Sequence, residues 1–170
     1  TAPLGNKHRF FFDRELVVAD AMAYGGGYWA DTYAPTTNNL LYTDEGSQLS
    51  QRRIVDVTGG DFTGQRPEAI ALAVEGSNNL IVPALGKALA LGFAPVAVAA
   101  GDVVGDRREE LLALGEAGQV SVCHVAEDRC DRYSFAPGTT GIDVTGADLD
   151  GDGRDEAVFH LELSSGFVLL

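Results

Sequence analysis

The chain is short of positive charge: 12 Lys and Arg stand against 25 Asp and Glu, a formal net charge of -13. Nucleic-acid phosphates and anionic membrane surfaces both reward Lys and Arg, so this balance argues against either as a partner. Methionine occurs once, at Met22, and the chain opens Thr-Ala-Pro, which reads as a processed or trimmed product. No secretory apolar segment and no run long enough to span a membrane is present. Catalytic signatures are missing too. There is no G-x-S-x-G elbow, no H-E-x-x-H and no phosphate-binding Gly-rich loop. The three histidines, His8, His124 and His160, are far apart in sequence, and His160 lies in the apolar run AVFHLEL, where a histidine is more often structural than catalytic. The reading is therefore a non-enzyme. Apolar residues at 45% still provide for a globular core, and 170 residues suit one domain.

Cysteine is scarce as well. Cys123 and Cys130 flank the polar stretch HVAEDR. If the flanking segments are paired strands, the sulfurs face each other across a hairpin and a disulfide implies an oxidising compartment. Two free thiols are the alternative. A zinc site is disfavoured, because His124 is the only further ligand nearby.

What the chain does have is repetition. VTGGDFTGQRPEAIALAV from Val57, VAAGDVVGDRREELLALG from Val98 and VTGADLDGDGRDEAVFHL from Val144 align on Asp61, Asp102 and Asp148, spaced by 41 and 46 residues. A weaker copy starts at Asp13, where ELVVADA and NNLLY echo EAIALAV and NNLIV around a Gly- and Tyr-rich insert. Each unit reads as short strands of about five to eight residues broken by Gly-rich turns. The best helix candidate, PALGKALALGFAP, is undercut by its glycines and prolines, and Lys87 to Phe93 reads as an outer strand or loop. Four strands in forty-odd residues, repeated, are expected to make a propeller blade, with a β-sandwich as the alternative. The expected fold is a single all-β repeat domain over 1–170, a β-propeller or partial propeller of about four blades at 10–53, 54–94, 95–140 and 141–170. The last unit ends at GFVLL without an obvious outer strand; closure by NKHRFFF at the amino end, a chain that is a fragment, and completion by blades of another chain or a second copy are the alternatives.

The three Gly-Asp segments GDFTGQRPEAIAL, GDVVGDRREELLAL and ADLDGDGRDEAVF resemble the FG-GAP or VCBS-type repeat of integrin α-subunit propellers, some fungal lectins and many secreted bacterial proteins. The resemblance covers roughly residues 54–170 and, more weakly, 10–53. It implies a calcium loop of pattern D-x-D-x-D-G-x-x-D in the third copy. Asp148, Asp150 and Asp152 would be carboxylate ligands, Arg154 would offer its carbonyl, and Glu156 stands where the family usually has Asp. Calcium takes six to eight oxygens, and alternating carboxylates on a curled loop converge as it requires. A solvated acidic turn is the bland alternative. An EF-hand is excluded, since the twelfth position is Phe159 and no flanking helices are evident. The other two loops have Thr63, Gln65 and Ala69, or Val104 and Glu110, at the ligand positions. They are expected to be metal-free turns in which Asp61 and Asp102 accept backbone N–H bonds.

The family resemblance implies a secreted binding module for glycans or protein partners. Tyr28, Trp29 and Tyr33 of the insert are the candidate ligand contacts, with end-capping packing as the alternative. A lectin-like role leads, a structural or adaptor module in an extracellular assembly is second, and a hydrolase or lyase is third.

Overall fold

A computed structural model describes residues 8–12, 16–24, 27–33, 40–43, 54–64, 69–163 and 166–169; in 8–54 and 166–169 the description is of the backbone. Fifteen strands form four antiparallel sheets, and no α-helix occurs among the described residues. The first sheet holds β1 (His8–Phe12), β2 (Leu16–Tyr24), β3 (Gly27–Tyr33) and β4 (Leu40–Thr43). The second holds β5 (Ile54–Gly60), β6 (Ala69–Val74), β7 (Asn79–Val82) and β8 (Lys87–Ala90). The third holds β9 (Pro95–Gly101), β10 (Glu110–Gly115), β11 (Gln119–His124) and β12 (Arg129–Ser134). The fourth holds β13 (Thr139–Ala147), β14 (Glu156–Leu163) and β15 (Gly166–Leu169). In every sheet spatial order follows chain order, so each is a simple meander.

Two sequence expectations are corrected. The Gly- and Tyr-rich segment is not a loop insert: Gly27–Tyr33 is β3, paired with β2 and β4, so the weak first copy has the same meander as the others. NKHRFFF does not complete the last sheet, because β1 pairs with its neighbour β2, with Phe10 opposite Val18. A hairpin closes a short loop and costs little chain entropy, whereas reaching the last sheet would close nearly the whole chain. PALGKALALGFAP is no α-helix, and Lys87–Ala90 is the outer strand β8, as its glycines and prolines suggest; one 3-10 turn, Pro83–Leu85, precedes it, with Gly86 taking the left-handed φ of 60° that ends the turn.

The last three sheets stack in chain order through their first strands: β5 lies against β9, and β9 against β13, whereas the first sheet meets β5 mainly through β2. Small residues permit this. A Cβ on Gly146 would meet the Ala100 carbonyl oxygen at 2.7 Å, so only glycine allows β13 this close to β9. One core fills the space between the second and third sheets, with Phe62, Leu80, Leu89, Leu91, Leu111 and Cys123 among its buried members. A second lies between the third and fourth sheets, where Leu112, Leu114, Val144 and Leu161 are buried and Phe135 meets Phe159 edge-on at 5.3 Å. The alternation of β10 explains both cores: Leu111 and Ala113 face back, Leu112 and Leu114 face forward. Burying a Leu-sized side chain contributes about 1.5–3 kcal/mol, so these forward and backward rows carry the stack.

Cys123 stands directly opposite Cys130 in the β11–β12 register, and the two form a disulfide across a Cα–Cα distance of 4.0 Å. Closing so short a loop restricts the unfolded chain by about 2–3 kcal/mol. At the rim, the Lys87 ammonium donates to the Val125 carbonyl and the Arg132 guanidinium donates to the Ala90 carbonyl at 3.0 Å, tying the second sheet to the third.

Candidate functional site

The Gly-Asp segments occupy the turn between the first and second strands of the last three sheets. Each aspartate follows the end of its strand and organises the turn through its own side chain. Asp61 accepts the Thr63 N–H at 3.3 Å. Asp102 accepts three, from Gly105 at 2.7 Å, Asp106 at 3.0 Å and Arg107 at 2.8 Å. Asp148 accepts the Gly151 N–H at 2.7 Å on one oxygen and the Gly153 N–H at 3.0 Å on the other. Turn aspartates do this because a short carboxylate matches the spacing of successive amides.

In the third copy, Asp148, Asp150 and Glu156 bring carboxylate oxygens to within 4.8 Å of one another. Two oxygens on opposite sides of a calcium ion lie about 4.6–5.2 Å apart, so this set fits one such ion. Each oxygen that already accepts an amide keeps a second lone pair. Glu156 accepts the Leu149 N–H at 2.8 Å, which draws its longer side chain back into the loop. Asp150 accepts the Asp152 N–H at 3.1 Å. Asp152 turns one oxygen to the Arg154 N–H at 2.9 Å and stands apart from the close trio. The Arg154 side chain leaves the loop altogether and donates to the Val104 carbonyl of the third sheet at 3.0 Å.

The second loop has the same frame and a different charge balance. Arg108, the counterpart of Arg154, folds back onto Asp106 and also reaches Glu127 at 3.1 Å. This pairing holds the Asp106 carboxyl below its ordinary range. Glu110, the counterpart of Glu156, is 4% exposed and accepts the Val104 N–H at 3.3 Å. Burial pushes its carboxyl up, against the opposing pull of the Val104 amide and of His124, whose Nδ1 lies at 3.4 Å. On the other side of that ring, Nε2 meets Asp131 at 3.2 Å. The third loop has no such internal cation among the described residues.

Sequence reasoning passed over a second set of acids, seven residues beyond each turn aspartate: Glu68, Glu109 and Asp155. Asp61 donates its N–H to Glu109 at 2.6 Å and accepts the Glu109 N–H at 3.0 Å. Asp102 donates to Asp155 at 2.9 Å and accepts the Asp155 N–H at 3.0 Å. The same reciprocal clasp thus joins the second sheet to the third and the third to the fourth. Its signal was present in the repeat alignment, as an acid at a fixed offset, but its partner lies on a different sheet. Glu68 falls outside the described residues. Tyr28, Trp29 and Tyr33 all lie on β3, with Trp29 opposite Met22, Tyr28 opposite Ala23 and Tyr33 opposite Leu16.

Compared with known proteins, the chain matches no protein-family model and no curated protein. Among the described residues no helix is long and apolar enough to cross a membrane.

Proposed function

We propose that the chain is a non-catalytic, extracellular binding module of the FG-GAP type, recognising a glycan or cell-surface ligand on a calcium-stabilised partial propeller of about four blades. The observation that carries this reading is the recurrence of one Asp-centred turn at the same place in three successive meanders, with converging carboxylates, among the described residues, in the third. The stacking of the last three meanders through their first strands supports the propeller reading. The disulfide supports an oxidising compartment.

Calcium at Asp148, Asp150 and Glu156 would fix the β13–β14 turn, with Asp152 and the Arg154 carbonyl as further oxygens from the same loop. Its role is structural, since the loop is built of turn-forming residues and lies beside a sheet edge. Ligand recognition falls to Tyr28, Trp29 and Tyr33, three aromatic residues within the seven-residue strand β3. A glycan array read with the native chain and with Trp29→Ala tests this. Binding of a defined glycan class, lost in the variant, is expected; no glycan bound by the native chain overturns the lectin reading. An adaptor role in a larger extracellular assembly is the second reading.

A further inference from the structure

The third Asp-centred turn holds the two Asp-Gly pairs of the chain, Asp150–Gly151 and Asp152–Gly153. Such a pair is chemically labile. Glycine has no Cβ to shield its amide nitrogen, so that nitrogen can reach the side-chain carboxyl carbon of the preceding aspartate. Its attack forms a C–N bond. The carboxyl hydroxyl leaves as water with the amide proton, and a five-membered succinimide remains. Water then opens the ring. Opening at the main-chain carbonyl leaves the glycine nitrogen on the side-chain carbon, which is isoaspartate. No oxidant, reductant or reactant besides water takes part.

The turn leaves both pairs open to solvent and keeps their reacting groups apart. Residues 148–154 are all exposed, and a Cβ placed on Gly151 or Gly153 would meet nothing within 4 Å, so packing does not block ring closure. Asp148 does restrain it. The Gly151 N–H donates to one oxygen of its carboxylate at 2.7 Å, and the Gly153 N–H to the other at 3.0 Å. The two nitrogens that would attack are thus the two that this one carboxylate holds. The groups that would be attacked are turned away as well. Asp150 accepts the Asp152 N–H at 3.1 Å and Asp152 accepts the Arg154 N–H at 2.9 Å, each two residues on rather than one. The second turn gathers its amides around Asp102 in the same way, yet its glycine follows Val104 and has no carboxyl beside it to attack.

We infer that this turn is a site of spontaneous isomerisation at Asp150 and Asp152, and that Asp148 guards it by holding both glycine amides. To close the ring, a glycine amide has to leave Asp148 and swing towards the aspartate before it. An isoaspartate adds one carbon to the main chain of the turn and takes one from the side chain. At Asp150 this moves the carboxyl from its place facing Asp148 and Glu156, and the close trio is dismantled. The inference concerns the covalent chain and does not rest on the ligand or calcium reading.

Incubation in calcium-free buffer at neutral pH, followed by peptide mapping with electron-transfer fragmentation to locate isoaspartate, tests it. The native chain in urea should isomerise at Asp150 and Asp152, and the folded native chain about tenfold more slowly, the scale of one lost hydrogen bond. Folded Asp148→Ala should isomerise about tenfold faster than the folded native chain at both residues. Asp102→Ala loosens the neighbouring turn but leaves both glycine amides held, so it should keep the native rate. A native chain that isomerises as fast folded as in urea, or in neither state, overturns the inference. Asp148→Ala at the native rate does so too, and a slower rate would make that carboxylate a base that assists the attack. Equal acceleration by Asp102→Ala assigns the reaction to general unfolding and overturns the guard. Should Asp148→Ala not fold, Asp148→Asn takes its place. Its one acceptor oxygen holds one glycine amide, so one aspartate should isomerise faster and the other at the native rate; any other pattern overturns the inference.

Discussion

The turn at 102–110 and the turn at 148–156 share a frame and differ in how they settle their charge. In both, an aspartate gathers the amides of the loop and a glutamate at the start of the next strand accepts an amide from the loop tip. In the second-copy turn, Arg108 remains at home and pairs with Asp106. In the third-copy turn, Arg154 crosses to the Val104 carbonyl, and Asp148, Asp150 and Glu156 face one another. Like charges this close repel, and an external cation relieves them where an internal one does not. The contrast teaches that the backbone of the turn is the conserved object within this chain, and that the means of neutralising it varies from copy to copy.

The largest test of that contrast is calcium. At a concentration a hundredfold above its dissociation constant, a bound ion stabilises by about 2.7 kcal/mol. Thermal unfolding of the native chain should shift upward with calcium, the Asp150→Asn variant should lose the shift, and Asp106→Asn should keep it. No shift in the native chain at millimolar calcium would erase the difference between the two turns.

Next come the organising aspartates in calcium-free buffer. Asp102→Ala removes the acceptor of three amides and should cost about 2 kcal/mol, whereas Asp148→Ala removes the acceptor of two and should cost about 1 kcal/mol. Urea denaturation of both variants would expose an inverted order. A finer probe uses Gly105 and Gly151, at φ of 81° and 80°. Alanine at either position is strained by about 1–2 kcal/mol. At Gly105 the added Cβ also meets the Arg154 side chain, while at Gly151 nothing lies within 4 Å. Gly105→Ala should therefore be the more damaging, and equal midpoints would remove Arg154 from the account.

The smallest effect is on pH. Burial raises the Glu110 carboxyl above 4.5, so the folded chain holds that proton to higher pH than the unfolded chain. Stability should fall as pH rises from about 4.5 through the raised value, since the folded state then binds more protons than the unfolded. Glu110→Gln should flatten that part of the profile, and an unchanged slope would assign it to other groups.

Much of this was legible in the sequence. The aligned Asp61, Asp102 and Asp148 placed three turns, and alternation in GQVSVCHV placed β11. The Gly- and Tyr-rich segment misled because glycine is a poor strand former by itself, and pairing with β2 and β4 outweighs that preference. The clasps of Glu109 and Asp155 were hidden for another reason. Their partners are 48 and 53 residues away, on another sheet, and no local pattern reports such a contact.

The glycines of the inner strands also bear on spacing. Gly101 and Gly146 let β9 and β13 nearly touch between the third and fourth sheets, while Lys87 and Arg132 reach across the outer edge between the second and third. Side-chain length sets both spacings: a methyl group added at Gly146 would push β13 away from β9, and a shortened Lys87 would lose its bond to the Val125 carbonyl. Ala147 stands where Gly60 and Gly101 stand in the earlier copies. At this position the fourth sheet carries a methyl group where the second and third carry only hydrogen, so whatever packs there must make room for it.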